Sequence, residues 1–226
     1  EMGKFFADKG IKTAAIYGAF IPNPMHVYRT AGVLAGLGLS YGGATTEEDV
    51  VGLIFADQGI DLSKISGDIK IVSYLQGYGD TTTDEINAAI QAAPEAFISV
   101  GMATTFFTQQ LNAAGIEFSD IDSFTKSNGE AITNGKLVYL AGKYSSSVGP
   151  AFALVMNAIN GNVIRDAQGN AVSLSQNYQV ATDSETFDKF YKNDNGDNPI
   201  YSRDTLDQII GDTVTFDTIN EVVASN

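Results

Sequence analysis

The chain has 226 residues, of which 44% are hydrophobic and 18% charged, enough for one large α/β domain or two small ones. Its 27 acidic against 13 basic residues give a formal charge of −14, which argues against nucleic acid and anionic membrane surfaces as partners. Cysteine is absent, so disulfides and thiolate chemistry are excluded and the redox compartment is left open. No run of about 18 apolar residues occurs, the length a membrane-spanning helix needs. The opening "EMGKFFADKG" is neither a basic n-region nor a signal h-region. We therefore expect either a cytoplasmic chain or one whose targeting segment has been removed.

In chain order, residues 2–8 read as a short helix with Phe5 and Phe6 inward, ending at Gly10, and 13–17 as a strand. The loop 19–25 carries two prolines around Asn23 and is expected to be stiff and non-helical. Residues 27–39 form a helix with small residues on its packing side, and 47–56 another, with acidic residues in its first turn. The central stretch 69–115 repeats strand, helix, strand, helix. Residues 69–74 are a β-rich run broken by the following glycines and Asp80. In 85–93, Ile86, Ala89, Ile90 and Ala93 recur at helical spacing, and Pro94 stops the helix. Residues 96–100 are a second buried strand and 104–114 a second amphipathic helix closed by Gly115. Beyond it come a strand edge at 116–121, a short helix at 128–133, a strand at 137–141 and an apolar helix at 148–159. A turn at 165–170 precedes a stretch, 172–180, that alternates like a strand. From residue 183 acidic and amide residues accumulate, with helical pieces at 185–191, 203–210 and 216–224. Strands alternating with helices at this spacing predict an α/β fold, a three-layer α/β/α arrangement around a mostly parallel sheet.

Several chemistries fail on residue identity. "GLGLSYGG" at 36–43 lies at a helix end, with Tyr41 where a dinucleotide-binding fingerprint needs its third glycine, so it reads as helix termination and a turn. "NDNGDN" at 193–198 would place Tyr191 first and Ser202 twelfth in a calcium loop that needs Asp and Glu there. His26 is the only histidine, which rules out a multi-histidine metal site, and "KYSSSVGP" lacks the glycine of a nucleophile elbow. The acidic tail reads as a solvated face and supports no acid–base pair. No metal and no cofactor is expected.

What remains is a distribution. In parallel sheets ligands bind at the carboxyl ends of strands. Phe20, Asn23, His26, Tyr28 and Arg29 follow the first strand; Gln76, Tyr78 and Asp80 follow the central one; Tyr144 follows the last. Aromatic faces with Arg, Asp and amide groups suit a sugar or similar polar small molecule, since hydroxyls pair with forked polar groups and C–H faces stack. His26, beside its ligand role, also reads as a partly exposed helix-start residue.

The order of elements resembles a known family. "GKFFADKGIKTAAIYG", then "HVYRTAGVLAGLG", then the central stretch, then "AITNGKLVYLAGKYSSSVGPAFALVMNAINGN" looks like the second lobe of type I periplasmic solute-binding proteins, the sugar receptors of ABC importers. The resemblance covers residues 3–162. It implies that Arg29 is the ligand-binding arginine, and that the family's Asn-Asp pair falls at Gly101–Met102, which cannot supply those hydrogen bonds. The family's "FDG" aspartate falls near Ser123, or Asp122 if the register slips by one, and its hinge glutamine near Lys143. It also implies a second, preceding lobe that is missing here. Residues 1–143 would form the ligand-binding lobe, 144–171 a hinge-crossing helix of the missing lobe, and 172–226 a return strand and acidic tail. The apolar face of 148–159 would then seek a substitute, such as a second copy of the chain. The implied function is capture of a sugar-like solute outside the cytoplasm, by a protein lipid-anchored at full length that delivers to a membrane permease, without catalysis. The alternatives are the effector domain of a LacI-type regulator and, third, an enzyme of flavodoxin-like topology using Arg29 or Asp80.

Overall fold

The computed structural model describes residues 1–77, 81–196 and 199–225. The chain divides into two compact units: residues 1–122, 126–141 and 180–184 make the first, and 123–125, 142–179 and 185–226 the second. The sequence-expected boundaries at 143 and 171 differ from these, because the chain returns to the first unit near residue 180.

The first unit is built on a six-stranded sheet. Its strands are β1 (Thr13–Tyr17), β4 (Lys70–Leu75), β5 (Ala96–Ser99), β6 (Glu117–Asp122), β7 (Leu137–Gly142) and β8 (Gln179–Ala181), in the order β4-β1-β5-β6-β7-β8. β1 runs parallel to both β4 and β5, with Tyr17 opposite Leu75 on one side and Ser99 on the other, and β5 runs parallel to β6. Strand order therefore reverses around β1, the doubly wound pattern. β1 and β5 are almost wholly buried, as strands covered on both faces must be.

Alternation along each strand sorts the core into two layers. Ile16 and Ile98 pack with Phe6, Val27, Ala31 and Leu34 from α1 (Met2–Asp8) and α2 (Pro24–Gly36). Tyr17 and Phe97 instead meet Phe107 of α5 (Ala103–Ala114), ring centroids 4.9 and 5.7 Å apart. α1 and α2 cross in backbone contact: a Cβ on Gly3 would sit 2.3 Å from the Val33 carbonyl oxygen, and one on Gly36 2.8 Å from the Lys4 amide nitrogen. Between β1 and β4 lie α3 (Glu47–Asp57), N-capped by Thr46, and a small antiparallel pair, β2 (Ser40–Tyr41) with β3 (Ile65–Ser66). That pair is not legible in the sequence. It is organised by Tyr41, fully buried, whose hydroxyl donates to Asp57 at 2.7 Å and accepts from the Asp61 amide at 3.0 Å. Burial pushes that phenol up to about 12. The glycine-rich stretch is a helix end and turn, with Gly38, Gly42 and Gly43 all at positive φ. α4 (Thr81–Gln91) and α6 (Lys126–Thr133) complete this unit.

In the second unit α7 (Gly149–Ile159) is the central helix. Ala153 on its inner face packs with Ile164, Ile209 and Ile219, the last from α10 (Phe216–Ala224). Asn157, fully buried, donates to the Ile209 carbonyl and accepts from the Gly211 amide, each at 2.8 Å, and so bolts the acidic tail onto α7. The other face of α7 carries Phe152, Val155 and Ile159, all exposed, with Val148 exposed at its N-cap. α8 (Ser184–Asn195) adds Phe187 and Phe190 to a ring cluster with Phe124 and Tyr144, and α9 (Arg203–Asp207) follows. The alternation over 172–180 predicts a strand, but regular pairing is confined to Gln179–Ala181. The alternation is real: Val172 and Leu174 pack on the helical core while Ser173 and Ser175 stay exposed. Alternation reports a half-buried extended chain, and a ladder also needs a neighbour strand.

Candidate ligand site

The switch point of the first unit lies at the carboxyl ends of β1 and β5, and the turns there are built tightly. The Gly18 amide donates to Leu75 at 2.8 Å and the Val100 amide to Tyr17 at 3.0 Å, so the strands stay locked to their last residue. A Cβ on Gly18 would overlap the Tyr74 hydroxyl, and one on Gly101 would lie 2.7 Å from the Tyr17 ring. These two glycines let the loops close over the sheet edge.

Residues 19–25 are less irregular than their prolines suggest. Pro24 is the first residue of α2, where a missing N–H costs nothing, and the Asn23 side chain caps the helix by accepting from the Met25 amide at 3.0 Å. His26 is buried, with Nδ1 3.0 Å from the Phe20 amide nitrogen, from which it accepts. Asn23 and His26 thus hold the loop's own backbone. That construction places Phe20, Met25 and Tyr28 outward, 48%, 44% and 51% exposed.

Arg29, one turn into α2, reaches the end of β6. Its Nη2 donates to Asp122 Oδ1 at 2.7 Å and its Nη1 to the Val100 carbonyl at 3.3 Å. Nη1 also lies 3.4 Å from Asp122 Oδ2, which makes the pair fork-on-fork. Both side chains stay partly exposed, at 15% and 26%. Asp122 adopts φ 83°, the left-handed region that an aspartate tolerates better than most residues. The pair draws together the ends of β5 and β6 and the second turn of α2.

No family model matches the chain. No curated protein matches it. Among solved structures it is similar to the periplasmic binding protein component of the arabinose ABC transporter from Shewanella sp. ANA-3, bound to alpha and beta-L-arabinofuranose. The TM-score is 0.51 at 16% identity, and the match covers 84% of this chain. It spans 57% of that protein's length. The fold is periplasmic-binding-protein-like.

On that fold, the sequence-expected site residues fall into four groups. Phe20, Arg29 and Met102 come to the carboxyl edge of the sheet, Met102 exposed at the N-cap of α5. Asn23 and His26 serve the loop. Gln76 is exposed just past β4, while Tyr78 and Asp80 lie outside the described residues. Ser123, Lys143 and Tyr144 belong to the second unit, where Tyr144 is buried with its ring 5.8 Å from Phe124.

Two carboxylates escaped the sequence reading or were reached only through a slipped register. Asp122 is the first. The second, Asp120, is two residues earlier on β6 and 2% exposed. One oxygen accepts from the Thr104 amide in the first turn of α5 at 3.2 Å and from Asn128 Nδ2 of α6 at 2.8 Å; the other has no partner. Burial pushes this carboxyl up to about 6, against the downward pull of its hydrogen bonds to Thr104 and Asn128. The sequence signal was the "SDID" alternation at 119–122, which places two acids on one face of a strand end. Among the described residues no three His, Cys, Asp or Glu side chains gather as metal ligands, and no helix is long and apolar enough to cross a membrane.

Proposed function

We propose that this chain is a ligand-capturing lobe of a solute-binding protein that serves an ABC importer, taking a sugar or similar small polar molecule at the carboxyl edge of its sheet. One observation carries the reading. Arg29 and Asp122 present a partly exposed guanidinium–carboxylate fork at the switch point, with Phe20 and Met102 exposed on the turns after β1 and β5 and Tyr28 exposed on α2. Forked donors and acceptors read adjacent hydroxyls, and exposed apolar groups take the C–H faces of a sugar ring. The similar Shewanella protein, an arabinose transporter component bound to arabinofuranose, supports the same ligand class. A second lobe closing over this edge about a hinge would bury the ligand. Outside the cytoplasm the closed, lipid-anchored protein would then present it to the membrane permease. No bond is made or broken in this cycle.

A single lobe makes half of the contacts, so its affinity is weak, and the test must detect weak binding. Amide chemical shifts of the isotope-labelled chain are followed with L-arabinose, D-ribose and D-galactose at millimolar concentration. The expected result is saturable shifts confined to residues 18–29, 100–102 and 120–122, lost in Arg29→Ala. Shifts that persist in that variant, or none with any sugar, refute the assignment.

The same reading extends to self-association through α7. That helix contains no charged residue, so two copies can appose Val148, Phe152, Val155 and Ile159 without opposing like charges despite the net charge of −14. Light scattering should give a dimer that Phe152→Asp converts to monomer. A wild-type chain that is monomeric at high micromolar concentration would sink this part alone.

A further inference from the structure

The second unit contains a cleft of about 830 Å³, within the range of about 300–1,000 Å³ typical of small-molecule sites. Its chemistry is one-sided. Tyr144, Tyr178, Tyr201 and Phe216 supply four rings, and Gln176, Asn177, Gln179 and Asn220 supply four amides. Ser147, Ser173 and Ser175 add hydroxyls. In a chain with 27 acidic residues no carboxylate is among the described lining residues, and Lys143 is the one charged group there.

The cleft is also organised. Gln176 donates from Nε2 to the Ser147 carbonyl at 3.0 Å and lies 3.4 Å from the Tyr201 hydroxyl, which fixes the amide plane. Its Oε1 accepts no hydrogen bond among the described residues and remains an acceptor. Tyr201 is held from behind, where a Cβ on Gly149 would come within 2.8 Å of its Cβ. Burial raises the Tyr144 and Tyr201 phenols, so both stay neutral donors across the physiological range.

We propose that this cleft is a second ligand site, contained within the second unit, for a neutral saccharide. The class follows from what the lining can satisfy. A cationic ligand would find no counter-charge. An anionic one would meet a single ammonium while the chain's net negative charge opposes its approach. Sugar hydroxyls donate and accept at once, which fixed amides and serines match in pairs, and the exposed Tyr178 ring and the half-buried Phe216 ring offer faces for stacking.

The test is calorimetric titration of the full chain with maltose, cellobiose and xylobiose, with glucuronate and glucosamine as charged counterparts. At least one neutral sugar is expected to bind at one site. Its affinity should fall about tenfold or more in Tyr178→Ala and in Asn220→Ala, a loss of one stacking or hydrogen-bonding group in each. Thermal melts of both variants check that the unit is folded. Three results would overturn the proposal: no neutral sugar binding, tighter binding of glucuronate or glucosamine, or dependence on Arg29 with indifference to Tyr178 and Asn220. The last would assign the binding to the sheet-edge site and leave the importer reading standing.

Discussion

Asp120→Asn isolates one buried carboxyl whose ionisation the fold resists. The folded-state value of about 6 lies above the ordinary aspartate value of 3.8, so the native state holds the proton more tightly than the unfolded chain. The resulting stability is fully present below about pH 4 and is lost as pH rises through about 6. At about 1.4 kcal/mol for each unit of that difference, the charged form carries a penalty of about 3 kcal/mol at neutral pH. Asparagine can keep the acceptor that Thr104 and Asn128 address, while its NH₂ replaces the oxygen that has no partner. That exchange costs about 1–3 kcal/mol for an unsatisfied donor, equally at every pH. The pH-dependent part is therefore what should be read. Urea unfolding of both proteins from pH 4 to pH 8 should show the variant gaining about 2.5 kcal/mol relative to wild type across that range, since part of the penalty is already present at pH 4. Other carboxylates, including Asp57, Asp61 and Asp166 whose hydrogen bonds lower them, cancel in the difference. Parallel stability curves would refute the argument that burial dominates at Asp120.

Three further outcomes follow from the packing. Gly36→Ala should destabilise the first unit by about 1–3 kcal/mol in thermal unfolding, since its methyl meets the Lys4 amide nitrogen at 2.8 Å. Asn157→Leu should leave the Ile209 carbonyl and the Gly211 amide unpaired, costing about 2–4 kcal/mol, with faster hydrogen exchange in residues 203–224. Tyr41→Phe should loosen the β2–β3 pair by removing one donor to Asp57 and one acceptor for Asp61, costing about 1–2 kcal/mol in urea unfolding.

Local signals carried most of the framework. The strands at 13–17, 70–75 and 96–99 and the helices between them follow from apolar periodicity and from Pro94, all of which act within a few residues. Sequence and structure part where one residue type serves two purposes. Pro24 read as a helix breaker and is a helix starter, because the difference lies in whether its position needs an N–H. Residues 172–178 alternate for a core contact rather than a ladder. The pairing at the candidate site is less legible still. Arg29 and Asp122 are 93 positions apart, and a one-residue ambiguity at the end of β6 decides whether the carboxylate or Ser123 meets the guanidinium. Strand-end register is set by tertiary pairing, here the match of Phe97 with Phe118, to which sequence periodicity is blind.

The three residues of β8 have a consequence for biosynthesis. They fill the edge of the sheet beside β7, yet they come 37 positions after the end of β7 at Gly142 and leave the ribosome only after the stretch 142–178 of the second unit has been translated. Until then β7 presents an unpaired backbone edge, the feature that invites pairing with another nascent chain. Of all the sheet's strands, the shortest is the one on which its solubility during synthesis depends.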